Sequence, residues 1–215
     1  MCCGFYNFYH QSFEHVTRNY TLPYPTSKKE IPMHVKLRNK ERLLLHTCCA
    51  PCSPHVIGIL QREFEVSAFF YNPNIHPIKE YRRRLEEMER FCKKVSVELM
   101  IGDYDTDRWL HITKGMKDEK EGGKRCKICY QMRMEKTACV AQTNSFQHFT
   151  TTLTVSPHKK AMVINQIGHE LQKKYPLAFY EADFKKHDGF KKSCELSKKH
   201  DFYRQSYCGC VYSKK

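Results

Sequence analysis

Residues 42 to 52 read RLLLHTCCAPC, and this stretch decides the fold. A leucine run entered from a charged residue reads as a buried strand, and the thiols Cys48, Cys49 and Cys52 follow where that strand ends. Working outward, VIGILQREF after Pro54 reads as a short helix, and EVSAFFYNPNI as a second strand that turns at Asn72 and Pro73. HPIKEYRRRLEEMERFCKKVS is an amphipathic helix with Tyr81, Leu85, Met88, Cys92 and Val95 on its apolar face. Its charged face, with Arg82, Arg83, Glu86, Glu87, Glu89 and Arg90, reads as solvated surface. VELMIGDYD, HFTTTLTVS and LAFYEADF supply a third, fourth and fifth strand, and Ser156 with Pro157 reads as cap and first turn of the helix continuing AMVINQIGHELQKKY. This alternation predicts an α/β fold, a mostly parallel sheet with helices on both faces. Ligands of such sheets sit beyond the carboxyl ends of the strands, so HTCCAPC is expected on a rim shared with the loops after VELMIGDYD and LAFYEADF.

The length of 215 residues suits one such domain and a tail. Residues 1–40, aromatic-rich and then broken by LPYPTSKKEIP, read as an N-terminal arm, and 41–215 as a single α/β domain. A net charge of +14 favours a polyanionic partner, nucleic acid first. No stretch approaches eighteen consecutive apolar residues, and MCCGFYNFYH lacks the pattern of a signal peptide, so no membrane span and a cytoplasmic location are expected. A lipid on Cys2 or Cys3 would need a second anchoring signal.

Twelve cysteines in a chain of this kind read as thiols in a reducing compartment, not as a disulfide framework. Seven fall into three tight groups: Cys48, Cys49 and Cys52; Cys126 and Cys129 of RCKICY; Cys208 and Cys210 of YCGC. Such a set can hold zinc in a closed tetrahedron or an iron–sulfur cluster with one thiolate per corner. Neighbouring side chains diverge in extended backbone, so the Cys48–Cys49 pair favours the larger cluster. Cys208 and Cys210 flank a glycine that permits unusual backbone, and they suit an electron relay or a further ligand pair. Cys92, Cys139 and Cys194 read as small hydrophobes or incidental thiols.

His46 reads first as a structural strand-end histidine, with orienting a ligand or passing a proton as the alternative, and the strand-end carboxylate Asp183 can ligate a metal or donate a proton, with Asp103 and Asp105 weaker candidates. DFKKHDGFKKSCELSKKHDFYRQSYCGC interleaves lysine pairs with Phe184, Phe190, Phe202 and Tyr203; the lysines alone also suit a solvated helix face, but beside YCGC the pattern favours unpaired RNA bases on a phosphate backbone. Lys185, Lys186, Tyr203 and Arg204 are its substrate-binding candidates. No glycine-rich phosphate loop follows the first strand, which disfavours nucleotide activation.

HTCCAPC, FFYNPNIHPIKEYRRR, RCKICYQMRM, TTLTVSPHK and YRQSYCGC, in that order, resemble the cobalamin-independent epoxyqueuosine reductases of the QueH type over residues 42 to 212. The resemblance implies an oxidoreductase that reduces epoxyqueuosine to queuosine at the wobble position (34) of tRNA, the last step of queuosine biosynthesis. It implies a [4Fe-4S] cluster on Cys48, Cys49, Cys126 and Cys129, a redox-active pair at Cys208 and Cys210, and a fold similar to the adenine-nucleotide α-hydrolases with the phosphate loop replaced. The reaction needs an electron donor, and the chemistry suggests a second metal ion, iron or zinc, aided by Cys52 and Asp183. The competing readings are a zinc-stabilised RNA-binding module and a general thiol oxidoreductase.

Overall fold

The computed structural model describes residues 40 to 213; the arm expected at 1–40 lies, apart from Lys40, outside them, as do Cys2 and Cys3. Five strands form one sheet: β1 (Arg42–Thr47), β2 (Glu65–Phe70), β3 (Leu99–Ile101), β4 (His148–Thr151) and β5 (Ala178–Phe179). Their order is β3-β2-β1-β4-β5, and every pairing is parallel. The helices are α1 (Ser53–Leu60), α2 (Ile78–Val95), α3 (Thr106–Ile112), α4 (Lys124–Thr143), α5 (Ala161–Lys174) and α6 (Gly189–Lys199).

Covering both faces of the sheet explains why β1 reads as an unbroken leucine run. Leu43 and Leu45 join Ala68 and Phe70 of β2 in one core with Val56 and Leu60 of α1 and Met88 and Phe91 of α2. On the other face α4 packs against β1 and α5, and there His46 meets Arg133 of α4.

The strands are shorter than the sequence patterns suggest. β4 stops at Thr151, whose side chain accepts the Leu153 N–H at 3.1 Å and turns Thr152–Val155 into a 3-10 helix. β5 pairs over two residues only, and Thr150 Oγ1 donates to the Tyr180 carbonyl at 2.7 Å where the chain leaves the sheet. Ser156 and Pro157 do not start α5, which begins at Ala161 behind an extended Lys160. Ser156 instead closes a turn, its Oγ accepting from His158 N–H and its carbonyl from Lys159 N–H, and this turn carries Lys159 to the rim.

The charged face of α2 is not all solvated. Tyr203 lies under the Arg83 guanidinium, 3.4 Å from the ring centroid, and donates its backbone N–H to Glu87. Arg84, 3% exposed, pairs with Glu80 at 2.7 Å and donates to the carbonyls of Tyr207 and Cys208 at 3.2 and 3.1 Å. The segment from Phe202 to Cys208 is thereby laid along α2, over positions whose charge alone suggested open solvent.

Chain progression reverses beside β1: β2 and β3 follow on one side, β4 and β5 on the other. A parallel sheet opens a crevice at such a switch point, because the loops leaving the two central strands go opposite ways. The Cys48 N–H donates to Thr152 Oγ1 at 3.3 Å, joining the loop after β1 to the loop after β4 at the mouth of that crevice.

Candidate functional site

The first cysteine group comes together at the end of β1. Cys49 has extended backbone, the chain then enters a 3-10 turn over Ala50–Cys52, and the sulfurs of Cys48, Cys49 and Cys52 all lie within 4.8 Å of one another. Cys48 and Cys49 are 3.6 Å apart at sulfur, and Cys49 and Cys52 3.3 Å. The expectation that adjacent side chains would diverge fails here: Cys48 and Cys49 meet at sulfur, and the 3-10 turn folds Cys52 back to them. Hydrogen bonds from Cys49 and Cys52 draw Cys48 well below the ordinary thiol range. The resulting thiolate pushes Cys49 up to about 12 and Cys52 upward as well. The Gln205 side-chain amide adds a donor to Cys49 Sγ at 3.1 Å.

Cys126 and Cys129 sit in the first two turns of α4, one helical step apart. Cys126 is half-buried and accepts the Gly122 N–H at 3.2 Å; Cys129 is buried. One turn on, Arg133 is 2% exposed, with Nη1 3.9 Å from Cys129 Sγ and Nε 3.3 Å from His46 Nε2. A guanidinium only donates, so His46 Nε2 accepts and Nδ1–H donates to Thr151 Oγ1 at 2.8 Å. The 3.2 Å approach of Nε2 to the Tyr71 carbonyl then carries no proton. Burial, helped by Arg133, lowers His46 to about 3, so it is neutral and orients Arg133 instead of passing a proton. Burial works against the charge of Arg133 too, but Cys129, Cys48 and Cys208 outweigh it. Arg133 Nη2 and the Trp109 indole Nε1 are buried without a hydrogen-bond partner. Burial raises Cys129, while Arg133 and Trp109 both favour its thiolate.

Cys208 is half-buried and Cys210 buried, both as free thiols. Gly209 between them has φ +101°, and a Cβ there would stand 2.9 Å from Ile75 and 3.1 Å from Arg84. Burial pushes Cys210 up to about 11. A cavity of about 730 Å³ has Cys48, Cys52, Arg133, Lys159, Arg204 and Cys208 among its walls. Burial would lower Lys159, but the thiols of Cys208, Cys48 and Cys52 raise it. Glu121 is the sole carboxylate among the described residues of the wall. The cavity is therefore a cationic, sulfur-lined recess of the size that takes a small organic group.

Other sequence candidates fall in different places. Asp183 is paired with Lys185 at 2.7 Å and is not part of the cavity wall. Lys185 also reaches the Lys159 carbonyl at 3.4 Å, Lys186 is exposed, and Tyr203 donates through its hydroxyl to Glu80. Arg204 is on the wall and donates to Cys194 Sγ at 3.4 Å, which brings a thiol read as incidental into the same recess. Asp105 accepts from Tyr71 at 3.4 Å, and Asp103 faces Lys136 at 3.8 Å. Reading the sequence missed Arg84, Arg133, Lys159 and Gln205. The one signal for Arg133 was its spacing, four residues after Cys129 on the same helical face.

A family profile described as Epoxyqueuosine reductase QueH matches residues 43–215. Proteins of that name are similar to this chain in Acinetobacter baylyi (44% identity over 81% of this chain and 81% of that protein) and Haemophilus influenzae (41%, over 92% and 80%). A third, from Thermotoga maritima, is 37% identical over 80% of this chain and 89% of that protein. Among solved structures, the U34-tRNA thiolase NcsA from Methanococcus maripaludis with its [4Fe-4S] cluster superposes with a TM-score of 0.54 at 14% identity, covering 83% of this chain and 63% of that one. This likeness is one of fold.

Proposed function

The chain belongs to the epoxyqueuosine reductase QueH family, an oxidoreductase family, and from that premise we propose that it reduces epoxyqueuosine to queuosine at position 34 of tRNA. The observation that carries this reading is the single recess shared by Cys48, Cys52 and Cys208 among basic side chains. Opening an epoxide to an alkene takes two electrons and two protons and releases the oxygen as water. Oxidation of the Cys208 and Cys210 thiols to a disulfide yields two electrons and two protons, so the pair balances one turnover and must be reduced again by an outside electron donor.

The donor set suits a [4Fe-4S] cluster. It is all sulfur, as iron–sulfur ligation asks, and buried Arg133 with Lys159 offsets the negative charge that several thiolates accumulate. Cys48, Cys49, Cys126 and Cys129 would hold the cluster, which supplies one-electron transfer. We further propose that Cys52, with Asp183 once its Lys185 pair opens, serves a second iron or zinc ion. The chain's own residues do the rest: Arg204, Lys185 and Lys186 meet phosphates of the anticodon loop, Tyr203 adds an aromatic face, and the recess keeps water from the reacting carbons. Free thiols at these positions fit a reducing compartment, the cytoplasm, and among the described residues no helix is long and apolar enough to cross a membrane.

One observation favours a second reading. The sulfur separations of 3.3 and 3.6 Å approach the edge of about 3.8 Å that a zinc–thiolate tetrahedron has with bonds near 2.3 Å. Anaerobic purification separates the two: about four irons and four sulfides per chain on a brown protein support the cluster, while a colourless protein with stoichiometric zinc overturns it. The activity is tested by digesting tRNA from a strain lacking the gene. Accumulated epoxyqueuosine is the expected result, and normal queuosine content would overturn the assignment.

A further inference from the structure

A buried guanidinium is expensive unless its charge and all its N–H groups are met. The contacts of Arg133 are with sulfur and imidazole, and Nη2 is left over. His46 pins the guanidinium from one side, itself fixed by Thr151, and Cys129 Sγ faces it from the other. Trp109, 0% exposed, favours the Cys129 thiolate through its indole N–H. Buried donors in native proteins find acceptors, so the orphaned Nη2 beside this thiol marks the place of an acceptor that belongs to whatever the cysteines bind. Arg133 lies on the wall of the recess together with Cys48 and reaches back to Cys129, so a group held by these thiols comes within its reach.

We propose that Arg133 is the positioning residue that sets the reduction potential of the metal centre, donating through Nη2 to sulfur of the bound cluster, with the His46 ring holding its Nε from the other side. This rests on the cluster reading above. Adding an electron makes the centre more negative, and a fixed positive charge with an N–H bond to sulfur favours that reduced form, so the guanidinium raises the potential. It lies one helical turn from Cys129 on α4 and cannot move away without breaking the helix face that carries both.

The test is an anaerobic redox titration followed by electron paramagnetic resonance. Arg133→Gln, with cluster absorption retained, is expected to shift the midpoint to more negative potential, and Arg133→Lys to stay nearer the wild type. An unchanged midpoint in Arg133→Gln would overturn the proposal, since a purely structural arginine would not move it. If both variants lose the cluster, wild-type protein grown on arginine labelled with heavy nitrogen decides: a weak nitrogen coupling to the reduced cluster supports the donor, and no coupling overturns it. Wild-type protein that carries no iron would instead overturn the cluster reading itself, a distinct failure.

Discussion

Cys208 is the thiol most directly presented to the recess by the C-terminal segment, while its neighbour Cys210 is buried. Replacing Cys208 by serine removes the electron pair without touching the proposed cluster ligands, so turnover is expected to vanish while iron–sulfur absorption persists; a spectrum and an activity assay on one preparation check this. Gly209 answers to backbone geometry. At φ +101° with Ile75 and Arg84 in the way of a Cβ, Gly209→Ala is expected to cost about 1–3 kcal/mol in a urea titration. Cys92 makes a pH prediction. Burial raises its thiol to about 12 from the ordinary value of 9.0, so its contribution to stability is present below pH 9 and is lost as pH rises to 12, because the unfolded chain ionises first. Denaturation at several pH values should show wild type losing up to about 4 kcal/mol more than Cys92→Ala across that window.

Among the elements, α2 shows how far pattern reading extends. Its apolar positions were legible, since Tyr81, Met88 and Cys92 repeat at helical spacing and are buried. Arg84 was not legible: a buried arginine and a solvated one are the same letter, and what buries it is a segment more than 120 residues later. Arg84→Ala takes away the ion pair of Glu80, leaving it only the Tyr203 hydroxyl, and frees the Tyr207 and Cys208 carbonyls. It is expected to cost about 3–5 kcal/mol in urea denaturation and to lower activity further than the stability loss alone explains. Strand ends were equally hard to read. HFTTTLTVS has β-branched residues throughout, yet Thr151 caps a 3-10 turn, because side-chain oxygens compete with the ladder for the same N–H groups.

For the whole molecule, the parallel sheet was readable from strand and helix alternation, and the β1 loop followed from where ligands sit in such sheets. The composition of the recess was not, because it depends on which loops meet at the switch point; Cys48 touching Thr152 is a fact of topology. The net charge of +14 predicts tRNA binding that weakens with salt. Arg204→Ala is expected to flatten the plot of log affinity against log salt by about 0.7, measured by filter binding. The segment that Arg84 pins across α2 has a consequence for biogenesis. On the ribosome, residues 48 to 129 emerge well before Tyr207 and Cys208, so the strap laid across α2 is a late-made wall of the sulfur-rich mouth.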